Sequence, residues 1–341
     1  MLKAYWCPYT LHFKFEARTS RQSMHTKDTW LLRIVDEDTG REGVGECALF
    51  RGLSAEDTPD YENILSDACR GFVPGELPAL SSIRFGFETA LANLYGHTDT
   101  AFVRGEDSIP INGLIWMGDK ATMKQRIDEK LANGFKVLKL KIGGINFDDE
   151  VDLLRYIRRL YPADALELRL DANGSFSPDD ALQKLDILGR LGIHSIEQPV
   201  RAGMLTDMAR ICAESPIPIA LDEELIGIHT REEARMILET VRPHYIILKP
   251  ALCGGLSGAD SWVEEAARLG IGHWFTSALE SNIGLEAIAR HIAEKGCSMP
   301  QGLGTGQLFH NNFDGPLFLR GERMYFDPSK KLSLPLLPWR Q

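Results

Sequence analysis

The stretch Val137-Leu-Lys-Leu-Lys-Ile142 decides the fold. It is a short aliphatic run that lies between two segments with helical periodicity, residues 120–132 and 149–160. Similar aliphatic or β-branched runs recur at residues 111–115, 166–170, 195–197, 217–221, 245–248, 272–276 and, more weakly, 301–303. Strands that alternate with helices indicate a parallel sheet. About seven or eight such units within about 200 residues favour a TIM-like (β/α)7β barrel over a doubly wound sheet.

The regions on either side of this barrel have a different pattern. Residues 1–105 predict an α+β capping domain, with strand-like runs at 11–15 and 30–35 and helical patterns at 59–70 and 82–94. We place the barrel at residues 106–305. Residues 306–341 are rich in Pro, Leu and Phe and have no helical period, so we expect this tail to pack back on the cap. The predicted fold class is therefore α/β, a TIM-like barrel with an N-terminal cap that the C-terminal tail completes.

Composition and charge exclude several classes of protein. The 341 residues include 38 Lys+Arg and 48 Asp+Glu, which gives a net charge of −10 and argues against nucleic-acid or anionic-membrane partners. The sequence lacks an apolar run of the about 18–20 residues that a membrane helix needs, and its first residues lack a signal-peptide core. The six cysteines are scattered and include no C-x-x-C pair. We therefore expect a reduced, cytoplasmic setting.

Five successive strand-like runs end at an ionisable residue. These residues are Lys141, Asp171, Glu197, Asp222 and Lys249, spaced by 25 to 30 residues. Because the active site of a barrel lies at the carboxyl ends of its strands, we expect the five side chains to meet at one mouth. Taken singly, Lys141 is also compatible with a solvated strand edge and Asp171 with a turn. Because all five residues stand at the ends of successive strand-like runs, a functional site is favoured over these separate explanations.

These residue types suit one kind of chemistry. Three converging carboxylates repel one another, and a hard dication such as Mg²⁺ removes that cost through oxygen ligation. Lys139 and Lys141 project to the same side of their strand, and like-charge repulsion predicts a lowered lysine pKa, which suits a general base. Lys249 faces them from the other side of the barrel. The set predicts removal of a proton next to a carboxylate, with the metal stabilising the enediolate that develops.

The combined motifs resemble the enolase superfamily, in its muconate-lactonising-enzyme-like branch. The matching segments are Lys139-Leu-Lys141-Ile-Gly, Leu170-Asp171-Ala-Asn-Gly174, Ile196-Glu197-Gln-Pro199, Ala220-Leu-Asp222-Glu-Glu224 and Ile247-Leu-Lys249-Pro250. The resemblance implies that Asp171, Glu197 and Asp222 bind Mg²⁺, with Mn²⁺ as a substitute. It also implies that Lys141 removes the α-proton, that Lys139 tunes it, and that Lys249 stabilises the anionic intermediate.

Within this branch the sequence is most similar to the o-succinylbenzoate synthases of menaquinone biosynthesis. The similarity lies in Arg18-Thr-Ser-Arg21, Gly43-Val-Gly-Glu46, Phe50-Arg-Gly-Leu-Ser54, Ile111-Asn-Gly-Leu114, Ser277-Ala-Leu-Glu-Ser-Asn282 and Gly302-Leu-Gly-Thr-Gly306. These lyases dehydrate 2-succinyl-6-hydroxy-2,4-cyclohexadiene-1-carboxylate to 2-succinylbenzoate, with loss of the proton and the hydroxyl from the same face. The resemblance implies a small dicarboxylate substrate, and a cap that supplies specificity loops. The candidate substrate-binding residues are Arg18, Ser20, Arg21, Phe50, Leu53, Asn112, Ser277 and Ser281.

Two other functions remain open at this point. An N-succinylamino acid racemase would use the same lysines and metal on a similar succinyl-bearing substrate. Dipeptide epimerases of this branch carry an Asp-x-Asp near the mouth of strand eight, whereas Glu280 is the only acidic residue of this chain there. A non-catalytic barrel that binds a metal for structure is a further alternative, which the adjacent lysines argue against. The sequence leaves the oligomeric state open.

Overall fold

The computed structural model describes residues 1–18, 23–96 and 98–341, without the side chain of Arg18. Its first part is an antiparallel sheet of three strands, β1 (Leu2–Arg18), β2 (Ser23–Asp36) and β3 (Glu42–Cys47), in that order. Two helices follow, α1 (Tyr61–Arg70) and α2 (Ser81–Tyr95). Both strands of the first hairpin are longer than predicted, because pairing continues beyond the apolar runs as far as Leu2 opposite Asp36.

Two glycines of β3 allow helix α2 to pack directly on this sheet. A Cβ atom at Gly43 would lie 2.2 Å from the carbonyl oxygen of Ala90, and one at Gly45 would lie 2.1 Å from that of Gly86. No side chain fits at these distances, so backbone meets backbone. The strand that leads into residues 48–54 is therefore held rigidly against the helix.

The second part of the chain is the barrel. Its strands are β5 (Gly113–Ile115), β6 (Val137–Lys141), β7 (Glu167–Asp171), β8 (Ser195–Glu197), β9 (Ile219–Leu221), β10 (Tyr245–Leu248) and β11 (Gly272–Phe275), preceded by β4 (Ser108–Pro110). Within the described residues, β5 to β11 form a seven-stranded parallel sheet in sequence order. The helices between them are α3 (Lys120–Ala132), α4 (Phe147–Leu160), α5 (Ala181–Gly189), α6 (Leu205–Glu214), α7 (Arg231–Val241), α8 (Gly255–Arg268) and α9 (Asn282–Lys295).

The weak eighth run closes the barrel. Gln301 forms a parallel bridge with Ile111, and Gly302 forms one with Thr276. The amide of Gln301 donates to the carbonyl of Pro110 at 2.8 Å, and the amide of Gly302 donates to that of Phe275 at 2.8 Å. Residues 301–302 thus join the last strand to the first, which confirms the prediction of a TIM-like barrel with an α+β cap.

Two local features differ from what the sequence predicts. The pattern Ser177-Pro-Asp-Asp180 predicts an N-cap at Ser177 with Pro at the first helical position, but helix α5 begins at Ala181. The hydroxyl of Ser177 accepts a hydrogen bond from the amide of Asp180 at 3.3 Å, in a turn that precedes the helix. The run at 111–115 is not one strand, because only Gly113–Ile115 form β5 and Ile111 makes an isolated bridge. The amide of Ile111 bonds to the carbonyl of Glu322, whereas that of Asn112 bonds to Gln301.

The tail contacts both parts of the molecule. Strands β12 (Leu317–Arg320) and β13 (Arg323–Phe326) form a hairpin that pairs with β4. Further on, Trp6 and Arg340 exchange two backbone hydrogen bonds of 2.8 Å, and Trp339 packs in the cluster around Cys7. The domain boundaries at residues 105 and 305 stay a prediction. None of the helices described is long and apolar enough to cross a bilayer.

Candidate active site

Strand register places the predicted residues at one level of the barrel. Lys141 of β6 pairs with Asp171 of β7, which in turn pairs with Glu197 of β8. Asp222 follows the end of β9, and Lys249 follows the end of β10. Because parallel strands end at the same edge, the five residues meet at the carboxyl mouth, and Lys139 lies one layer below Lys141 on the same side.

These six side chains form a buried network of ion pairs, which we call the mouth cluster (Lys139, Lys141, Asp171, Glu197, Asp222 and Lys249). The Nζ atom of Lys139 lies 2.6 Å from Glu197 Oε2 and 3.0 Å from Asp171 Oδ2. The Nζ atom of Lys141 lies 2.9 Å from the same Asp171 oxygen. Lys249 pairs with Asp222. The three carboxylate residues are at most 2% exposed.

Burial and charge shift the pKa values of this cluster in opposite directions. Burial raises the pKa of Glu197 well above its ordinary value, and the neighbouring Asp171 raises it further. Burial also opposes ionisation of Asp171, but Lys139 and Lys141 outweigh it and lower the pKa of that carboxyl. For Lys139, burial lowers the pKa, yet Asp171 and Glu197 hold it above the ordinary value. Like-charge repulsion between lysines therefore does not set the pKa of Lys139, contrary to expectation.

A cavity of about 350 Å³ opens above the mouth cluster. Lys141 and Lys249 both line it. Their strands, β6 and β10, are four places apart in a barrel that the 301–302 segment closes as an eighth member, so the two ammonium groups face each other across the cavity. The other lining residues are Phe50, Gly52, Leu53, Asn112, Leu114, Trp116, Lys139, Asp171, Asn173, Glu223, Leu252, Thr276, Ser277, Ala278, Leu279, Gly302, Gly304 and Thr305.

The structure brings some of the predicted substrate-binding residues to this cavity but not all. Phe50, Leu53, Asn112 and Ser277 line it. Ser281 is not among the lining residues, because it is the N-cap of helix α9, where its hydroxyl donates to Glu46 at 2.6 Å. The remaining three predictions, the side chain of Arg18 and residues Ser20 and Arg21, lie outside the described residues.

Two polar residues at the cavity, Asn173 and Thr305, were given no role from the sequence, whereas Asn112 was predicted. Asn173 lies two residues beyond Asp171 with a positive φ of 44°, and its Oδ1 accepts a hydrogen bond from Lys141 Nζ at 2.9 Å. The sequence indicated only a turn there, although the position directly after a catalytic strand end was a usable signal. In the part of the chain that the structure describes, Asn112 Oδ1 and Thr305 Oγ1 are buried without a hydrogen-bond partner. Both atoms belong to residues that line the cavity.

The mouth cluster fits a divalent cation by its chemistry. Glu197 Oε1 is buried and, among the described residues, has no hydrogen-bond partner. A buried carboxylate oxygen of this kind gains from a cation. Side-chain ammonium groups bind one oxygen of each of the three carboxylates. In the described ranges, no group of three His, Cys, Asp or Glu side chains converges closely enough to hold a metal ion unaided. The ligand set Asp171, Glu197 and Asp222 stays a prediction.

Comparison with known proteins identifies the family. Residues 122–325 match the enolase C-terminal domain-like family. A curated relative from Desulfotalea psychrophila, named o-succinylbenzoate synthase, is 44% identical over 91% of this chain and 95% of its own length. The chain belongs to the enolase superfamily. Members of this superfamily that use a Lys or His base work with one or two Mg²⁺ ions.

Solved structures of the superfamily agree with this assignment. The crystal structure of MenC from Desulfotalea psychrophila superposes with a TM-score of 0.83 at 39% identity, and covers 95% of this chain and 99% of that one. The muconate lactonizing enzyme from Pseudomonas fluorescens has a TM-score of 0.78 at 21% identity, which shows a shared fold alone. A second curated relative, the L-Ala-D/L-Glu epimerase of Bacillus subtilis, is 25% identical over 92% of this chain and 86% of its length.

Proposed function

We propose that this protein is an o-succinylbenzoate synthase, a carbon–oxygen lyase of menaquinone biosynthesis. It would dehydrate 2-succinyl-6-hydroxy-2,4-cyclohexadiene-1-carboxylate to 2-succinylbenzoate. The observation that carries the proposal is the 44% identity to a relative of that name over nearly the whole chain. The geometry supports it, because two lysines face each other across a cavity that is large enough for one small aromatic dicarboxylate.

The proposed metal ligands are Asp171, Glu197 and Asp222. When bound there, Mg²⁺ supplies positive charge beside the ring carboxylate of the substrate and so makes the neighbouring C–H bond more acidic. With Lys141 neutral as the base, the charge of Mg²⁺ and of the ammonium groups of Lys139 and Lys249 together exceeds that of the three carboxylates. The mouth therefore attracts an anionic substrate although the whole protein carries a net charge of −10.

Lys141 is the proposed base. Its amine takes the proton from the carbon next to the ring carboxylate, and the electron pair of that C–H bond is delocalised into the carboxylate group. This pair then forms the new ring double bond as the C–O bond to the hydroxyl breaks. The ammonium of Lys141 gives its proton to the departing hydroxyl oxygen, so that water leaves from the same face. Asp171 and Asn173 orient the Nζ atom for both transfers through contacts of 2.9 Å each.

Lys249 and Lys139 have different proposed roles. Lys249 lies on the opposite side of the cavity, where its ammonium stabilises negative charge that develops on the substrate. Lys139 is 6% exposed and held by two carboxylates, so it is a positioning residue for Lys141 and Asp171 rather than a proton carrier.

The cavity wall supports a proposed position for the rest of the substrate. Phe50, Leu53 and Trp116 offer apolar surface for the ring and exclude water. The buried hydroxyl of Thr305, which has no hydrogen-bond partner among the described residues, can donate to the succinyl arm. Asn112 and Ser277 line the same cavity. Only the side-chain nitrogen of Asn112 can donate to this arm, and the hydroxyl of Ser277 already donates to Glu280. Arg18, Ser20 and Arg21 stay a prediction for the succinyl carboxylate.

The direct test is a synthase assay. Purified protein with Mg²⁺ is mixed with the cyclohexadiene substrate, and the aromatic product is followed by its ultraviolet absorbance. Conversion that requires both protein and Mg²⁺ supports the proposal. No conversion under conditions where the Desulfotalea psychrophila relative is active would refute it.

A racemase of N-succinylamino acids is the second candidate. The placement of Lys249 opposite Lys141 favours it, since two-base racemisation needs a lysine on each face. A curated relative named N-succinyl-L-Arg/Lys racemase, from Bacillus cereus, is 27% identical over 56% of this chain. Deuterium uptake from D₂O into an N-succinylamino acid or a dipeptide, at a rate that rivals dehydration, would favour a racemase or an epimerase. Absence of turnover and of exchange on every substrate would leave the non-catalytic metal-binding barrel.

The proposal also includes the cellular location of the protein and its partners. A cytoplasmic location is supported by six free cysteines, all of which lie in the described part of the chain. The absence of a nucleic-acid partner rests on the acidic net charge.

A further inference from the structure

A second buried group of charges lies where the cap meets the barrel. It consists of Lys27 on β2, Glu46 on β3 and Glu280 just before α9, which we call the cap–barrel cluster. Lys27 is 6% exposed, and both glutamates are 0% exposed. Charged side chains are seldom buried to this extent unless they are paired or hydrogen-bonded. None of these three residues belongs to the mouth cluster or lines the cavity.

Glu46 joins the cap to the barrel through hydrogen bonds. Its carboxylate accepts from the amide of Ser281 at 3.0 Å, from the hydroxyl of Ser281 at 2.6 Å and from the amide of Gly284 at 3.0 Å. Thr29, on the neighbouring strand of the cap, donates to the same carboxylate at 2.8 Å. The amides at the start of α9 lack partners within the helix, and the positive end of the helix dipole favours a carboxylate there. A side chain of the cap therefore caps a helix of the barrel.

The two segments that meet at Glu46 each lead directly to a wall of the cavity. Glu46 lies four residues before Phe50, which forms the cap wall with Leu53. Ser281 lies four residues after Ser277, which forms the barrel wall with Leu279. A change in the contact between Glu46 and Ser281 would therefore move one wall relative to the other.

Glu280 and a strained backbone hold the barrel wall in place. The hydroxyl of Ser277 donates to Glu280 Oε2 at 2.5 Å and accepts from the amide of Leu279 at 2.9 Å. Leu279 has a positive φ of 66°, which a leucine adopts only when its surroundings impose it. In the described residues, Lys27 Nζ and Glu280 Oε1 are buried without a hydrogen-bond partner, so Lys27 interacts with the two glutamates through charge and not through a hydrogen bond.

We propose that Glu46, supported by Lys27 and Glu280, is a positioning residue that sets the separation of the cap wall and the barrel wall and thereby selects the substrate. The inference rests on the proposed function, since it assigns to these walls the parts of the substrate that do not react. Loss of contacts that bind such parts raises KM and leaves kcat nearly unchanged.

The chain offers a matched control at another helix. Glu88 of α2 in the cap accepts hydrogen bonds from the amide of Leu256 at 2.5 Å and from Ser257, at the start of α8. It thus joins the cap to the barrel as Glu46 does. However, none of Glu88, Leu256 and Ser257 lines the cavity.

The experiment compares Glu46→Gln with Glu88→Gln in the full-length protein with Mg²⁺. Both variants should lower Tm, because each weakens a helix cap. Glu46→Gln should raise KM for the cyclohexadiene substrate by about tenfold with little change in kcat, since it weakens binding of the non-reacting parts of the substrate and leaves Lys141 in place. Glu88→Gln should keep the wild-type KM. Wild-type KM in both variants would overturn the proposal and leave Glu46 a purely structural residue.

A second pair of variants guards against a failure of Glu46→Gln to fold. Lys27→Met leaves two buried carboxylates without their cation and should raise KM, and adding Glu280→Gln to it should bring KM back toward the wild-type value. A double variant that is no better than Lys27→Met would also contradict the proposal. Calorimetry of 2-succinylbenzoate binding to the wild type distinguishes a failure of the proposed function from a failure of the role proposed for Glu46. A wild type that neither binds the product nor turns over substrate refutes the proposed function itself.

Discussion

The mouth cluster and the cap–barrel cluster bury the same residue types in different balance. At the mouth, three lysines meet three carboxylates, and each ammonium lies within hydrogen-bond distance of a carboxylate. Between cap and barrel, one lysine meets two glutamates, and backbone amides and hydroxyls bind the carboxylates instead.

The difference shows how one molecule uses buried charge for two purposes. Ion pairs between side chains can exchange partners when a cation or an anionic substrate arrives, which suits a reaction site. Hydrogen bonds from backbone amides fix a carboxylate to the fold and cannot be exchanged in this way, which suits alignment of two domains. The comparison therefore predicts that cations and lysine substitutions affect the mouth more than the cap–barrel cluster.

The largest effect is expected from removal of divalent cations. Treatment with EDTA followed by gel filtration should reduce the synthase activity below detection, because the carboxylates at the mouth then face only lysines. Added Mg²⁺ should restore both activity and a higher Tm, since an ion that binds only the folded state stabilises it. Full activity after exhaustive chelation would contradict the assignment of a metal to the mouth.

Replacement of a buried lysine should lower the free energy of unfolding by different amounts in the two clusters. In metal-free protein, Lys139→Met leaves Glu197 and Asp171 without their shared partner and should cost about 3–5 kcal/mol in the free energy of unfolding. Lys27→Met should cost less than half as much, because Lys27 Nζ has no hydrogen-bond partner in the described part of the structure. Urea unfolding measures both values. A larger cost for Lys27→Met would reverse the comparison.

A methyl group added between the two glutamates should have a smaller effect. A Cβ atom at Gly284 would lie 2.8 Å from Glu280 Cγ and 3.0 Å from Glu46 Oε2. Gly284→Ala should therefore destabilise the protein by about 1–3 kcal/mol, as overpacking does. Gly304→Ala is the control, since its Cβ would make only ordinary contacts of 3.8 and 3.9 Å. Equal Tm values for the two variants would contradict this prediction, because they would show that Glu46 and Glu280 move aside for the methyl group without loss of stability.

The smallest effect is a change in pH dependence. Burial raises the pKa of Glu280 above its ordinary value of 4.5 despite the hydrogen bond from Ser277. Between pH 4.5 and the raised pKa, the unfolded chain has already lost the proton that the folded chain keeps, so wild-type stability falls as pH rises. Glu280→Gln removes this slope, which is at most about 1.4 kcal/mol per pH unit. Its stability relative to wild type should thus improve from pH 4.5 to pH 7, and a constant difference in unfolding titrations would contradict the pKa direction.

Periodicity in the sequence predicted the barrel and its mouth well. Strands β8 and β10 and helix α3 have the predicted bounds. The two strands are predictable because strands of a parallel barrel are buried on both faces and read as continuous apolar runs, which end at the polar residues of the mouth. For the same reason the strand ends at Lys141, Asp171 and Glu197 fall in register.

Contacts that depend on how the cap is oriented on the barrel could not be predicted. Ser281 follows a strand of the mouth and reads as a substrate ligand, yet it caps α9 and bonds to Glu46, a residue 235 positions away in the chain. Lys27 lies in an ordinary alternating strand, and no pattern around it indicates burial beside two glutamates. Tertiary packing determines both the contact of Ser281 with Glu46 and the burial of Lys27, and the periodicity of helices and strands in the sequence contains no information on such packing.

The central claim is that Lys141, held by Asp171 and Asn173, moves the proton. Its most direct test is the rate of dehydration by Lys141→Ala with Mg²⁺, alongside the affinity of the variant for 2-succinylbenzoate. We predict that kcat falls by about 10²–10⁴-fold, as for loss of a general base, while product binding persists. Dehydration at the wild-type rate by a folded Lys141→Ala protein would contradict the claim.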